Sequence, residues 1–433
     1  MTEWLRGLSD RREPTLCQYS NATLVWAGLL MYLSALGTRR QIAFRLNAPR
    51  VSARLGALGG QPGLGQVPHG DTVERYLAGV EPDRMQQIPQ ALVRSLLEAR
   101  RLESYRLLDC HYLVTVDMTG HLYLGDSPSA FTEGCLTQRA DDGGTLYYRP
   151  VCEAKLVSRT GLALSIGSEF VENPPGGPAP GDTQDSELEA AGRLFPRLKA
   201  AFGGYGVCAL LDSRYANQTG LSLCEANGWS YMITLKEGSL PSVWQEFQSL
   251  LPEAPENRHA RRADGVRYEY GWINAIAWGE RRGNVLECRW TDAEGQAHRF
   301  VWLTDIPVHA GNVHALAQEG GRQRWRTENE GFRAQKHGGL EMEHAYAKRP
   351  TAAKNFYLLL QTAHILSQML EVYLEGKAAV KRRFGALANV AHALRESLRC
   401  DPIPPEAGMD AFLAEAIHIR FKAARPPPGT DTS

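Results

Sequence analysis

Three carboxylates stand out in the sequence because of their positions, and together they suggest phosphoryl-transfer chemistry. Asp117 ends a β-branched run and Asp212 ends an apolar run, whereas Glu328 falls within a helical pattern further along the chain. A lone Asp at a strand end is more often a turn or helix-cap residue. Three acids in an order compatible with one sheet edge would repel one another unless cations lay between them. Two Mg²⁺ about 4 Å apart could then hold the attacking and leaving oxygens of an in-line displacement at phosphorus.

The cysteine and histidine pattern agrees with a magnesium-type site, because Mg²⁺ prefers carboxylates, water and phosphates to soft ligands. The eight cysteines are scattered without any CxxC pair. That pattern is neither a disulfide framework nor zinc-finger spacing, and it favours a reducing compartment. Cys135, Cys152 and His111 are of types that bind zinc, but they lack ligand spacing.

The elements that must position the two aspartates form an α/β pattern. Strands come first as a meander and then alternate with helices, which indicates a mixed sheet flanked by helices. A helix is predicted over about 184–202, and another precedes the last strand of this block. The predicted strands, with a turn at Thr119–Gly120 between the first two, are 111–117, 121–124, 147–157, 162–171, 207–212 and 230–236.

Composition divides the chain into regions with different patterns. The N-terminal region is helical, and two interpretations of it remain open: a DNA-contacting module, or a helical bundle that only packs on the core. Strands predicted at 267–278, 284–290 and 298–306 form a β-rich insertion, and everything after about 310 is helical up to about 421, followed by a disordered tail. The predicted regions are 1–107 (helical, N-terminal), 108–239 (core, first part, with both Asp), 240–307 (β-rich insertion), 308–376 (core, second part, with the Glu) and 377–433 (helical, C-terminal).

The segment 324–370 resembles the third catalytic block of DDE transposases, the enzymes of cut-and-paste bacterial insertion sequences. In that family a β insertion separates the second Asp from the Glu, and the block has the pattern Trp-x-x-Glu-Asn-x-x-Phe-x-x-x-Lys, then Glu-His and an apolar helix. The segments 114–120 (VTVDMTG) and 208–218 (CALLDSRYANQ) resemble the first and second Asp blocks, in the right order. The residues that match the third block are Trp325, Glu328, Asn329, Phe332, Lys336, Glu343 and His344.

This resemblance implies an RNase H-like fold in which Asp117, Asp212 and Glu328 are the catalytic and metal-binding residues. The implied cofactor is a pair of Mg²⁺ ions, with Mn²⁺ as an expected substitute. Water activated between the ions would cut DNA at the ends of the element, and the released 3′-hydroxyl would attack target DNA. The implied partners are transposon ends and target DNA, bound by a homodimer because the two ends must be paired.

Arg324 and Lys336 are the predicted DNA-binding residues of the site. The wider family often carries Tyr-x-x-Arg-x-x-x-Glu-x-x-x-x-x-x-Lys, whose Arg and Glu match Arg324 and Glu328. The Tyr position holds Gly321 and the Lys position holds Gln335, so Lys336 comes one residue late. Arg324 beside scissile phosphates is one interpretation, and an intrahelical ion pair with Glu328 worth at most about 0.5 kcal/mol is the other.

Several further residues are weaker candidates. His344 could contact the metal site or make a structural hydrogen bond, and Glu169 is a strand acid close to the expected site. The basic runs 258–262 and 377–383 are candidate contacts to the DNA backbone, although such runs are more often solvated surface. The tryptophans of the insertion are expected to form its core rather than to stack on bases; they are Trp272, Trp278, Trp290 and Trp302.

Bulk composition neither supports nor excludes a nucleic-acid partner. Lys and Arg number 48, as do Asp and Glu, so a DNA-binding function must rest on local patches. No signal peptide is recognised at the start, and the apolar run 22–37 is shorter than the ~20 residues of a bilayer span. We therefore expect a core helix there and a cytoplasmic protein, associated with the nucleoid when bound to DNA.

Two other functions stay open at this point. A nuclease of the same fold would hydrolyse nucleic acid without joining strands, and a catalytically silent or domesticated DNA-binding relic would not cut at all. The presence of all three acids counts against the relic.

Overall fold

The computed structural model describes residues 5, 8, 10, 12–13, 16–125, 134–141, 143–174, 177, 182–374 and 376–400. In these residues, helices flank a ten-stranded sheet of mixed parallel and antiparallel strands. The predicted α/β class with a mixed sheet is therefore confirmed. The helix predicted up to about 421 and the predicted disordered tail fall, beyond residue 400, outside the described residues.

The helices before the first strand form a bundle around an apolar helix. Helix α1 coincides with the run 22–37 that was predicted to be a core helix, and ten of its residues are buried. It packs against the long helix α10 (Pro350–Tyr373). The Tyr32 hydroxyl donates a hydrogen bond to the backbone carbonyl of Phe356 on that helix, at 3.0 Å. The bounds are α1 Asn21–Leu33, α2 Gln41–Arg45, α3 Pro49–Leu58, α4 Gly70–Leu77 and α5 Pro82–Glu98.

The central sheet brings the strands that precede the two aspartates side by side. Strand β1 pairs antiparallel with β3 and parallel with β5, and β5 pairs parallel with β6. Strands β2 and β4 follow one another along the far side of β3. Helix α6 connects β4 to β5, and α7 connects β5 to β6. The bounds are β1 Tyr112–Gly125, β2 Leu136–Arg139, β3 Thr145–Val157, β4 Ala163–Phe170, α6 Glu187–Phe202, β5 Val207–Leu211, α7 Gln218–Asn227 and β6 Ser230–Thr234.

Strand β1 is longer than the sequence predicted, and the turn expected at Thr119–Gly120 is wrong. The chain passes through these residues as extended strand paired with β3, and the register shifts between Gly120 and Leu122. The irregularity is therefore a bulge at His121. A bulge keeps the strand in the sheet while locally redirecting it, so the local turn signal of Thr-Gly is overridden by pairing with the long strand β3.

The segment 240–307 begins with a helix that the sequence did not predict, α8 (Pro241–Glu253), and continues as antiparallel strands. The three predicted strands are confirmed as β8, β9 and β10. The added strand β7 contains the basic run 258–262. Strand β10 pairs with β6, so these strands extend the same sheet as far as β7. The bounds are β7 Arg258–Ala263, β8 Val266–Trp278, β9 Arg281–Thr291 and β10 Ala297–Thr304.

Helices follow the last strand, as predicted. A continuous helical run, the Glu328 segment (residues 313–337), lies first and varies in its winding. It comprises π-helical Ala315–Gly320, 3₁₀-helical Gly321–Trp325, π-helical Thr327–Arg333 and α9 Ala334–His337. Helices α10 Pro350–Tyr373, α11 Lys377–Phe384 and α12 Leu387–Cys400 come next. Among the described residues, none of the helices combines the length and apolarity needed to cross a bilayer.

Candidate functional site

Asp117 lies on β1 at the edge of the parallel pair that β1 forms with β5. The last paired residues of these strands are Thr115 and Leu210, and Asp117 and Asp212 each follow two residues later. Adjacent strands are about 4.8 Å apart, and residues two apart share a face of the sheet. The two aspartates therefore occupy neighbouring positions on the same face.

The Asp117 carboxyl is held in a partly buried, acidic environment. Burial raises its pKa to about 7; the Arg324 guanidinium opposes this shift, and the charges of Glu187 and Glu328 add to it. Its Oδ1 accepts a hydrogen bond from the backbone amide of Met118 at 2.9 Å. A carboxylate whose neighbours are also acidic is one that a cation would stabilise in its charged form.

Asp212 directly follows β5 and organises the turn after it. Its Oδ1 accepts a hydrogen bond from the Arg214 backbone amide at 2.8 Å and so caps the 3₁₀ turn Ser213–Tyr215. The guanidinium Nε of Arg214 lies 3.9 Å from the other oxygen. One oxygen is thus engaged by the backbone, and the second lies near the Arg214 guanidinium.

Glu328 lies in the π-helical part of the Glu328 segment, and two contacts hold this part against β1. The hydroxyl of Thr327 is hydrogen-bonded to that of Thr115, two residues before Asp117. Arg324 places Nη1 3.5 Å from Asp117 Oδ2 and Nη2 3.5 Å from Glu328 Oε1. π-Helical turns often occur at functional sites, and this one brings the predicted third acid to the first.

A fourth acid, Glu187, belongs to the same cluster and was not predicted. It is the first residue of α6 with a side chain only 7% exposed, and Arg214 Nη1 lies 2.8 Å from its Oε2. The Tyr215 hydroxyl donates to Oε1 at 3.2 Å. Burial, followed by the charge of Asp212, raises its pKa. In the sequence Glu187 looks like an ordinary acid in a first helical turn, where the helix dipole favours any carboxylate.

The two departures from the wider transposase signature have structural causes. A side chain at Gly321 would have no space, because an added Cβ would lie 2.5 Å from the Trp302 ring. Gln335 is fully buried and donates a hydrogen bond to Gln361 Oε1 at 2.7 Å. Lys336 therefore carries the cation at the protein surface, where its Nζ is 2.9 Å from Glu343 Oε1.

The donor set of the site fits a hard divalent cation in its chemistry, since it consists of carboxylate oxygens. In the described part of the chain, however, no three His, Cys, Asp or Glu side chains converge closely enough to hold a metal ion. Arg324 lies between Asp117 and Glu328, where a cation bridging these two acids would bind. Metal binding at these residues therefore requires the Arg324 guanidinium to move away.

The weaker candidates lie elsewhere or have other contacts. Glu169 pairs with Arg193 and Arg197 at 2.7 and 2.8 Å, so it belongs to a surface ion-pair network. The ring of His344 packs edge-on against Tyr346, with centroids 4.8 Å apart. Both therefore have a structural explanation without a metal.

One of the residues considered as a zinc ligand and the tryptophans of the insertion also have local surroundings that can be described. The sulfur of Cys135 accepts a hydrogen bond from Arg149 Nε at 3.3 Å. Trp272 and Trp302 are buried, as expected of core residues. Trp290 is partly buried and lies beneath the Arg322 guanidinium, 4.2 Å from the ring centroid.

Comparison of the chain with protein-family models and with curated proteins gives no match.

Proposed function

We propose that this protein is a DDE-type DNA transposase, a metal-dependent enzyme that cuts at the ends of an insertion sequence and joins them to target DNA. The observation that carries the proposal is the placement of three acids around one sheet edge. Asp117 and Asp212 each lie two residues beyond the last residue pair of the parallel strands β1 and β5. The Arg324 guanidinium lies between the carboxylates of Asp117 and Glu328. Acids placed in this way can share cations between them.

An RNase H-like core is part of this proposal. An antiparallel run of β4, β3 and β1 is followed by the parallel strands β5 and β6, which the chain reaches through α6 and α7. The β-rich segment lies between β6 and the Glu328 segment in sequence. This order of elements is compatible with the fold that the resemblance implies.

The chain's own residues have distinct proposed roles. Asp117, Asp212 and Glu328 would hold two divalent cations, which would activate water and stabilise the charge that develops at phosphorus. Arg324 neutralises Asp117 and Glu328 in the described structure and, once displaced, is free to bind a DNA phosphate. Lys336 is partly exposed beside Glu343, and a contact of its ammonium with the DNA backbone would compete with that pair.

A surface suited to DNA lies on the N-terminal helices, despite the zero net charge of the chain. Residues 14–70 contain five arginines and no Asp or Glu. Arg40, Arg45 and Arg50 are exposed, and the Phe44 ring among them is 76% exposed. Exposed arginines around an aromatic ring suit a polyanion with stacked bases, which favours the DNA-contacting interpretation of this region.

Cleavage of DNA that carries the sequences flanking the gene tests the proposal. We expect Mg²⁺-dependent cuts at defined ends, followed by joining to a target plasmid, with binding retained but cleavage lost in Asp117→Ala, Asp212→Ala and Glu328→Ala. Co-migration of two DNA ends with one protein complex would support the proposed homodimer. Cuts without joined products would instead indicate a nuclease.

A DNA-binding protein without catalytic activity is the second candidate. It is favoured by the position of Arg324, which satisfies two of the acids internally without any metal. Wild-type protein that binds the ends but cuts them in neither Mg²⁺ nor Mn²⁺ would exclude the transposase and support this second function.

A further inference from the structure

A fully buried ion pair lies beneath the acid cluster, and neither the sequence pattern nor the proposed chemistry uses it. Glu153 and Lys155, two residues apart on β3, both have side chains with no exposed surface. Lys155 Nζ lies 3.4 Å from Glu153 Oε1 and 2.8 Å from Gln361 Oε1 on α10. The pair joins the sheet to a core helix.

The Glu153 carboxylate is saturated by hydroxyl donors. Ser168 Oγ and the Tyr357 hydroxyl donate to Oε2 at 2.6 and 2.9 Å, and Ser165 Oγ donates to Oε1. Removing charges from water is costly, and a well-packed apolar replacement of a buried pair is often neutral or stabilising. Because stability alone does not explain why such a pair is present, we look for its contribution in local geometry.

The position of the pair connects it to both Asp117 and Glu328. In the β1–β3 register, Glu153 is opposite Asp117 and Lys155 is opposite Thr115. The Lys155 ammonium lies 5.5 Å from the centroid of the Phe332 ring, four residues after Glu328.

The stem of Lys155 also defines how close the Glu328 segment comes to the sheet. A Cβ added at Gly331 would lie 2.9 Å from Lys155 Cε, so the helix backbone rests on this side chain. Gln361, which accepts from Lys155, also accepts from Gln335 in the same segment at 2.7 Å. Lys155 thus contacts the Glu328 segment directly at Gly331 and indirectly through Gln361.

We propose that Glu153 and Lys155 are positioning residues that fix the separation between Asp117 and Glu328, with Lys155 acting as the spacer between β3 and the Glu328 segment. The metal-binding part of this inference rests on the proposed function. Its structural part, that the buried pair immobilises the segment, does not.

The test uses the double variant Glu153→Gln/Lys155→Met, which removes both charges of the buried pair. The matched control, Glu172→Gln/Lys354→Met, makes the same two substitutions at a partly exposed ion pair of 2.6 Å. Removing both charges avoids a lone buried charge, which could prevent folding of Lys155→Met alone. Two readouts are used: hydrogen exchange of the amides in 327–337, and Mn²⁺ binding measured by electron paramagnetic resonance.

We expect the double variant to remain folded, to exchange these amides about tenfold faster, and to bind Mn²⁺ about 10–100-fold more weakly, the range for residues that orient metal ligands. The matched variant should behave like wild type in both readouts. Unchanged exchange in the double variant would overturn the positioning role. Faster exchange in a protein whose wild type binds no Mn²⁺ would retain that role and count against the proposed function.

Discussion

At the scale of single residues, the site is a set of four acids whose charges are partly offset by two arginines of the same chain. Arg324 spans Asp117 and Glu328, and Arg214 spans Asp212 and Glu187. Each guanidinium lies between two carboxylates, where a bound cation would also reduce the repulsion between them. Under the proposed function, metal and arginine would be alternatives at the Asp117–Glu328 position, and their competition can be measured.

Replacing Arg324 with Ala should tighten metal binding and weaken DNA binding. Loss of the internal cation leaves Asp117 and Glu328 to be neutralised by metal alone, and we expect Mn²⁺ affinity to rise about tenfold, equivalent to about 1.4 kcal/mol. Calorimetric titration without DNA measures this directly. Arg333→Ala, an exposed arginine of the same segment, is the control, and equal affinities in both variants would contradict the competition.

Some residues of the acid cluster can be predicted from the sequence and others cannot. Asp117 and Asp212 could be singled out because each follows an apolar or β-branched run, and the structure places them side by side. Glu187 could not, since an acid at a helix start has an adequate local explanation. Its role in the cluster depends on α6 beginning next to β5, which is a long-range contact that no local pattern encodes.

At the scale of elements, two of the contacts between the Glu328 segment and the sheet involve no charged side chain. The first is the close approach of Gly321 to the Trp302 ring on β10. The second is the buried Thr115–Thr327 pair. Each can be tested without touching an acid.

Gly321→Ala should destabilise the protein by about 1–3 kcal/mol, because the new methyl group overlaps a buried aromatic ring. Gly192→Ala is the matched control: no heavy atom lies within 4 Å of its added Cβ, and replacement of Gly by Ala inside helix α6 should stabilise by up to about 1 kcal/mol. Urea unfolding of both variants measures these shifts, and effects of the same sign would refute the packing argument.

Thr115→Val should cost about 1 kcal/mol, since it leaves the buried Thr327 hydroxyl without this partner. Thr327→Val should cost less, because the Thr115 hydroxyl still donates to the carbonyl of Lys155 at 3.3 Å. The double variant removes both hydroxyls and should cost less than the sum, with a coupling energy of about 0.5–1 kcal/mol. Chemical denaturation of the four proteins in the cycle gives this value. Strict additivity would mean that the hydrogen bond does not hold the segment to β1.

Element boundaries were predictable where periodicity was strong and failed where pairing decided the outcome. The three long strands of the segment 240–307 were predicted within a few residues, but α8 and β7 were missed. The basic run 258–262 was singled out for its charge and not as a strand, although it pairs along its whole length with β8. The Thr119–Gly120 turn failed for the same reason, because pairing with β3 outweighs a local turn preference.

At the scale of the whole molecule, two buried histidines should make stability depend on pH. Burial lowers the pKa of His121 to about 3 and that of His364 to about 3. Between pH 6.5 and about 3 the unfolded chain binds a proton at each position that the folded protein does not. Stability from these groups is therefore lost as pH falls through this window, by up to about 1.4 kcal/mol per pH unit for each ring.

His364→Gln should flatten this dependence while keeping polar contacts to Gln335 and Gln368. The difference in unfolding free energy between variant and wild type, measured at several pH values from 7 to 4, isolates the contribution of this ring. His337→Gln replaces an exposed ring and is the control. A variant that loses stability as steeply as wild type would show that His364 takes up its proton in the folded state.

The outer strand β7 has a consequence for how the molecule behaves among copies of itself. In the described residues it pairs only with β8, and its outward backbone groups form an open edge of the ten-stranded sheet. Arg258, Arg261 and Arg262 are exposed along this edge. Cationic side chains on an edge strand discourage a second sheet from docking there and continuing the hydrogen-bonded ladder. The arginines that are candidates for contact with DNA are thus also placed to disfavour aggregation through the edge of the sheet.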